Sequence, residues 1–427
     1  MAKVLVCTVG GQSPPIVNAI EQTGTLDRIY FLCSTGTAES GSDAVIEKST
    51  AVKNRGHCPH CERDFTVSTK VPPIVEVARL TPDQYAIERI HDPDDLTQVL
   101  QACRRIDDDL SRRFPEPGLE VVANYTGGTK TMSLGLGYYA IARWSPWSLQ
   151  VNRTEDRNNT RRIETGDIAL PQDVSNLLAD AAVERATALA ERHDYAGAES
   201  VLGATLSRER LRAEDQRRLL GLRQRYALQS AWDRLDYAQA LDLARRSREL
   251  AAEHAETLSR LLKIAEALRG KGAWPKGRFS GLELVQDLRA NAERAAARGR
   301  YDDAVGRLYR ATELLAQLKL RRDFGIHTSD VAPSHPRIPD DAKATLEQHR
   351  TQKGIKIGLL AAYELLSAVK DPLGAFFAEH KGRLLYVIEK RNQSLFAHGL
   401  TPIDVETWTE VGPRWQLWLD EAQEACR

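Results

Sequence analysis

The chain carries no excess charge of either sign: lysine and arginine total 59, and so do aspartate and glutamate. Bulk basicity therefore cannot signal nucleic-acid binding, and any site for a polyanion must be local. Also missing is any run near the ~20 apolar residues of a membrane span. Cysteine is sparse, with six in 427 residues, mostly scattered, which excludes a disulfide framework. The opening MAKVLVCTVGGQSPP lacks the apolar core and cleavage site of a signal peptide. Together these absences predict a cytoplasmic protein with reduced thiols and no membrane partner. What is there suits a folded chain: 42% hydrophobic and 28% charged residues. The length suggests two or three domains.

The first part of the sequence alternates strand-like and helix-like stretches. KVLVCT (Lys3–Thr8), RIYFLCS (Arg28–Ser34), IVEVARL (Ile74–Leu80) and LEVVAN (Leu119–Asn124) read as strands. Helical spacing appears near Ile16–Gln22, over Asp95–Arg113 and after GGTK. This alternation predicts a doubly wound, mostly parallel, Rossmann-like α/β domain over residues 1–170. Residues 171–270 are rich in Ala, Leu, Arg and Glu and predict a helical connector. GKGAWPKGRFSG, ending at Gly281, breaks the pattern, so residues 271–281 read as a linker. Residues 282–427 form an all-α domain, interrupted by the proline-rich APSHPRIP at 332–339.

Two glycine turns follow strands of the α/β domain. NYTGGTKT (124–131) places Asn124, Thr126, Gly127, Gly128, Thr129, Lys130 and Thr131 between a strand and a helix. Amides at such a helix start face an anion, and Lys130 adds positive charge. The segment is neither a Walker A loop nor a dinucleotide fingerprint, because the required glycines are absent. TVGGQSPP (8–15) supplies Thr8, Gly10, Gly11, Gln12 and Ser13. In a parallel sheet both turns emerge on one edge, which suggests a site for an extended polar or phosphorylated ligand. A tight turn without a ligand is the plainer alternative.

HCPHC (57–61) is half of a zinc site, with Cys58 and Cys61 at knuckle spacing and His57 and His60 beside them. No second cysteine or histidine pair completes it, although Cys33 or a partner chain are possible donors. A surface loop with reduced thiols is the simpler reading, and no metal is expected.

GRLLYVIEKRNQSLFAHGLTP (382–402) has apolar residues at helical spacing and reads as one amphipathic helix ended by Gly399 and Pro402. On it Arg391 and His398 stand two turns apart, about 20° different in direction. A guanidinium and an imidazole converging at a helix end suit a phosphodiester. The pairs Arg55…His60 and Arg322…His327 fit the same loose pattern, an arginine with four to six residues before a histidine, without that setting. Alternatively, Arg391 caps or pairs and His398 merely suits the helix C-terminus.

The combination resembles the CARF–HEPN ribonucleases associated with type III CRISPR systems. GGTK after a strand looks like the ligand loop of a CARF domain, and RNQSLFAHG looks like the HEPN signature of an arginine, a polar residue and a histidine. The domain order agrees, whereas HCPHC has no place in the family pattern. The resemblance implies a homodimer whose two CARF domains clasp a cyclic oligoadenylate, tetra-adenylate ahead of hexa-adenylate, through the loop residues named above. It implies single-stranded RNA as substrate and metal-independent cleavage by 2′-hydroxyl attack, with Arg391, His398 and Asn392 as catalytic residues. A slow cleavage of the activator at Lys130 and Thr131 would add to this. The rival class is a non-catalytic ligand sensor or helical interaction protein.

Overall fold

The computed structural model describes residues 2–36, 41–57, 60–61, 64–144, 148–154, 167–208, 211–270, 274, 281–352, 354–394, 397 and 399–426. It divides into two compact units, Met1–Ala182 with Ala204–Arg218, and Val183–Gly203 with Leu219–Arg427.

In the first unit β1 (Lys3–Thr8), α1 (Pro14–Thr23) and β2 (Arg28–Ser34) are followed by α2 (Ala44–Glu47). Next comes a hairpin of β3 (Thr50–His57) and β4 (Asp64–Val71), then α3 (Ile74–Val77) and β5 (Tyr85–Ile90). The unit continues through α4 (Leu96–Arg113), β6 (Glu120–Asn124), α5 (Lys130–Tyr139), β7 (Leu149–Thr154) and β8 (Asp167–Pro171). Six strands form a sheet in the order β5-β2-β1-β6-β7-β8, parallel except for β8. β1 alternates between two apolar layers. Val4 and Val6 join the core under α4 and α5, whereas Leu5 and Cys7 join the core under α1. Burial on both faces explains why the strand is apolar throughout rather than alternating. Each fully buried aliphatic side chain contributes about 1.5–3 kcal/mol.

The chain runs outward from β1 to β2 and β5, then returns to place β6 on the other side of β1. β1 and β6 therefore flank the topological switch point, where the crevice of such a sheet opens beyond the strand carboxyl ends. One sequence expectation is corrected here. Ile74–Leu80 is not a strand but begins as the short helix α3, and the third parallel strand from the β1 side is β5. Pro73 sets the helical entry at its N-cap, and only Ile74 of α3 is buried, so nothing pins the segment to a sheet.

Helices follow: α6 (Ser175–Glu191), α7 (Tyr195–Arg208), α8 (Ala213–Asp233), α9 (Tyr237–Arg245) and α10 (Arg248–Leu268). The division between the units passes through the first three of them. The rest of the second unit is α11 (Leu282–Ala297), α12 (Tyr301–Lys319), α13 (Asp340–Glu347), the two-residue strands β9 (Arg350–Thr351) and β10 (Gly354–Ile355), α14 (Leu359–Ala368), α15 (Pro372–Asn392) and α16 (Val405–Glu424). Trp415, Trp418, Tyr363 and Phe377 fill the space between α12, α14, α15 and α16. Two of them are anchored on α12 by their polar edges: Trp415 donates to the Thr312 hydroxyl at 2.8 Å, and Tyr363 donates to the Thr312 carbonyl at 2.9 Å. Asp371 caps α15 by accepting the Leu373 amide at 2.9 Å, and Lys319 approaches the same carboxylate at 3.4 Å. α15 is thus fixed at its start by α12 and along its length by the aromatic core.

Candidate functional site

The two glycine turns meet at the switch point. Both leave the carboxyl ends of hydrogen-bonded parallel neighbours, with Cys7 opposite Asn124. Contact between them is so close that side chains are excluded. A Cβ on Gly127 would overlap the Thr8 carbonyl oxygen and stand 2.9 Å from the Gly10 nitrogen. One on Gly10 would stand 3.1 Å from the Gly128 nitrogen. Gly128 has φ +77°, a left-handed conformation that glycine adopts without cost. Glycine is needed here for two reasons, close approach and backbone sign.

The remaining loop residues fall into layers. Thr8, Ser13 and Asn124 are buried, whereas Gly11, Gly128 and Lys130 are exposed. Gly10, Gln12, Thr126, Gly127, Thr129 and Thr131 lie between these extremes. Thr129 caps α5, its hydroxyl accepting the Met132 amide at 3.2 Å and donating to the Pro93 carbonyl at 2.8 Å. That bond orients the first turn of α5, and its amide end, toward the crevice side of the sheet. Among the described residues the Thr8 hydroxyl oxygen, buried beneath Gly128, has no hydrogen-bond partner.

Under the loops lies a polar network that sequence reading missed. Asn152 on β7 and Asp167 on β8 are 4% and 2% exposed. Asn152 donates to the Pro15 carbonyl at 2.6 Å and to the Asp167 carboxylate at 2.5 Å. Its side-chain oxygen accepts from Asn124 at 2.7 Å and from the Thr126 hydroxyl at 3.3 Å. Asn18 also donates to the Asp167 carboxylate, and Gln22 donates to its carbonyl at 2.8 Å. No local motif announces these residues, because the partners are separated by up to 149 positions.

In the second unit α15 carries Arg391 on its last turn, with a break of helical dihedrals at His380. The Arg391 guanidinium lies over the Tyr309 ring of α12, 4.4 Å from its centroid, and donates to the Asn392 side-chain oxygen at 3.2 Å. Asn392 is exposed. The expectation of one helix through residue 398 is overturned: α15 ends at Asn392, with Gln393 as its C-cap. The chain then doubles back. Ser394 accepts the Ala397 and Gly399 amides on its carbonyl at 3.0 and 3.2 Å, and Thr401 bridges to Ser394. Gly399 sits so close to Gln393 that a Cβ would overlap the Gln393 carbonyl. Asp302 accepts the Ile403 amide at 3.1 Å and ties the returning chain to α12. Gly399 therefore closes this loop rather than terminating α15. His398 lies outside the described residues.

The competing pair is placed differently. Arg322 is held by both carboxylate oxygens of Asp323 at 2.5 and 2.9 Å, in a turn closed by Gly325 at φ +73°. Burial and Arg321 push the His327 imidazole below its ordinary range. As for HCPHC, residues 57–61 begin at the end of β3, whose pairing with β4 sets His57 opposite Asp64. Cys58 lies outside the described residues, as does the placement of the His57 side chain. Cys61 is exposed, and Cys33 is buried in the sheet, its thiol donating to the Glu88 carbonyl at 3.7 Å. Among the described residues no group of three metal-ligating side chains occurs.

Comparison with known proteins follows this division. Residues 278–414 match the family model of the Csm6 HEPN domain, a segment that includes Tyr309, Arg391 and Asn392. The whole chain superposes on Enterococcus italicus Csm6 bound to cyclic hexa-2′-fluoro-hexa-dAMP, with TM-score 0.57 and 10% identity, covering 100% of this chain and 94% of that one. No curated protein sequence matches. Among the described residues no helix is long and apolar enough to cross a membrane. The chain thus shares the fold of that Csm6, a mostly parallel α/β region followed by a helical region whose residues 278–414 match the Csm6 HEPN domain.

Proposed function

We propose that this protein is an RNA endonuclease switched on by a cyclic oligoadenylate. The observation that carries the reading is the position of Arg391, at the end of α15 within the HEPN-matching segment, its guanidinium face set on Tyr309 and its edge turned to Asn392. The stacking leaves its N–H groups to point sideways, as binding a phosphodiester requires.

The activator is recognised in the α/β unit. Exposed Gly11, Gly128 and Lys130 at the switch point, with the amide end of α5 beside them, suit the phosphates of a ring nucleotide. The structural neighbour from E. italicus holds a cyclic hexa-adenylate analogue, and the family resemblance favours tetra-adenylate, so both rings are arms of the binding test. A two-fold ring suits an isologous pair of cradles. Leu134 and Tyr138, one and two turns beyond Lys130 on the same face of α5, are 62% and 63% exposed. That apolar strip beside the cradle supports pairing of two copies there. In the same arrangement two HEPN domains form one nuclease site.

Cleavage begins when the RNA 2′-hydroxyl attacks the adjacent phosphorus, forming the P–O2′ bond. The P–O5′ bond then breaks, leaving a 2′,3′-cyclic phosphate and a 5′-hydroxyl. The proton lost from the 2′-oxygen passes to a base, and the departing 5′-oxygen takes one up. Arg391 neutralises charge developing on the phosphoryl oxygens, Asn392 orients the phosphate, and His398 exchanges a proton with nucleophile or leaving group. DNA, which lacks the 2′-hydroxyl, is not cut.

The chemistry is tested with labelled single-stranded RNA, activator and excess chelator. Undiminished cleavage yielding 2′,3′-cyclic phosphate ends is expected. Activity lost in EDTA and restored by magnesium would overturn the 2′-hydroxyl route. No cleavage under any condition, with ring binding retained, would leave a sensor protein instead.

A further inference from the structure

We propose that Asp167 and Asn152 are positioning residues for the activator cradle, the carboxylate fixing, through a one-way chain of hydrogen bonds, how both glycine loops are held. The inference rests on reading those loops as the oligoadenylate cradle. It begins with the chemistry of an amide side chain. An asparagine can present either its donor or its acceptor end in the same space, so something must decide the direction.

Here the Asp167 carboxylate decides. Its two oxygens only accept, and both are engaged, one by Asn18 and one by Asn152 at 2.5 Å. The Asn152 amino group must therefore face Asp167, where it also donates to the Pro15 carbonyl at 2.6 Å. That forces the Asn152 oxygen toward Asn124, which must answer with its amino group at 2.7 Å. The Asn124 oxygen is left to accept the Thr126 backbone amide at 3.1 Å, which it does. The Thr126 hydroxyl takes the Asn152 backbone amide at 2.7 Å and donates to the Asn152 side-chain oxygen.

All four hydrogen-bonding positions of the Asn152 side chain are thus filled, and each follows from the accepting oxygens of Asp167. The first glycine loop is anchored at Pro15 and the second at Asn124 and Thr126, on a common post reached from the outer strands β7 and β8. Among the described residues the carboxylate meets neutral amides and no cation, an arrangement better suited to setting direction than to adding stability. Neither Asn152 nor Asp167 reaches the surface, so neither touches the ring itself.

Two near-isosteric variants test this. Asp167→Asn leaves one acceptor where two are needed, and Asn152→Leu removes the post. Amide hydrogen exchange is read without ligand over residues 9–13 and 16–17, over 124–131 and, for reference, over 3–8. Binding of cyclic tetra- and hexa-adenylate is read separately. Faster exchange in both loops but not in β1 is expected, with ring binding weakened about tenfold in Asn152→Leu and less in Asp167→Asn. Wild-type loop exchange and binding in Asp167→Asn would overturn the directional role. An equal rise across β1 and the loops would reduce the network to ordinary fold stability and overturn it too. If the wild type binds neither ring, the activator reading fails, and the exchange comparison still decides whether the network holds the loops.

Discussion

Replacing Arg391 by alanine lowers activated RNA cleavage by about 10³-fold, the scale on which a lone transition-state charge stabiliser acts. The loss falls on kcat, because the guanidinium meets a dianionic phosphorane more strongly than the ground-state diester. Folding is little affected. The side chain is half-exposed, and its contact with Tyr309 is a cation–π pair worth about 0.5–1 kcal/mol at such a site. Arg391→Lys restores only a fraction, since an ammonium keeps the charge but not the planar fork set by Tyr309 and Asn392. The control is Arg322→Ala. Arg322 is already held by Asp323, so its loss costs stability while cleavage persists. Single-turnover rates and melting curves of the three variants separate these outcomes. Full activity in Arg391→Ala would remove the nuclease site from α15.

Gly127→Ala abolishes the response to activator. The added methyl is directed at the Thr8 carbonyl oxygen, with the Gly10 nitrogen 2.9 Å away. Both are backbone atoms at the end of β1, so no side chain can rotate aside, and the two glycine loops must part. Overpacking of this kind costs about 1–3 kcal/mol, which lowers the melting temperature by several degrees. Gly11→Ala is the matched comparison, because a Cβ there meets nothing within 4 Å. It retains the wild-type melting temperature. Thermal shift of both variants, with and without each ring, reads stability and binding in one titration. Ring-induced stabilisation of Gly127→Ala equal to wild type would show that the loops do not form the cradle.

Much of the architecture was legible because its cause is local. Apolar runs at Lys3–Thr8 and Arg28–Ser34 are buried on both faces and can be little other than central strands. The meeting of the two glycine turns followed from parallel pairing alone. What failed needed tertiary context. Ile74–Leu80 has strand composition, yet Pro73 and a shortage of burial turn its start into α3. Residues 382–402 have helical periodicity to the end, but the Gln393–Gly399 contact folds the chain back after Asn392. Tyr309, Asn152 and Asp167 are invisible from sequence for a related reason. Each matters through a partner far along the chain, such as the 82-residue gap from Tyr309 to Arg391 (391 minus 309).

In the proposed function a ligand in one unit governs chemistry in the other, and it does so only by favouring the competent state over the idle one. An activator titration of RNA cleavage, comparing wild type with Lys130→Ala at one ionic strength, tests it most directly. Lys130 is exposed at the start of α5 beside Gly128 and lies in the unit that does not carry Arg391. The predicted result is a cleavage rate that rises with cyclic oligoadenylate, and a Lys130→Ala curve displaced to higher activator concentration. Cleavage at one rate with or without the ring, identical for the two proteins, would contradict it.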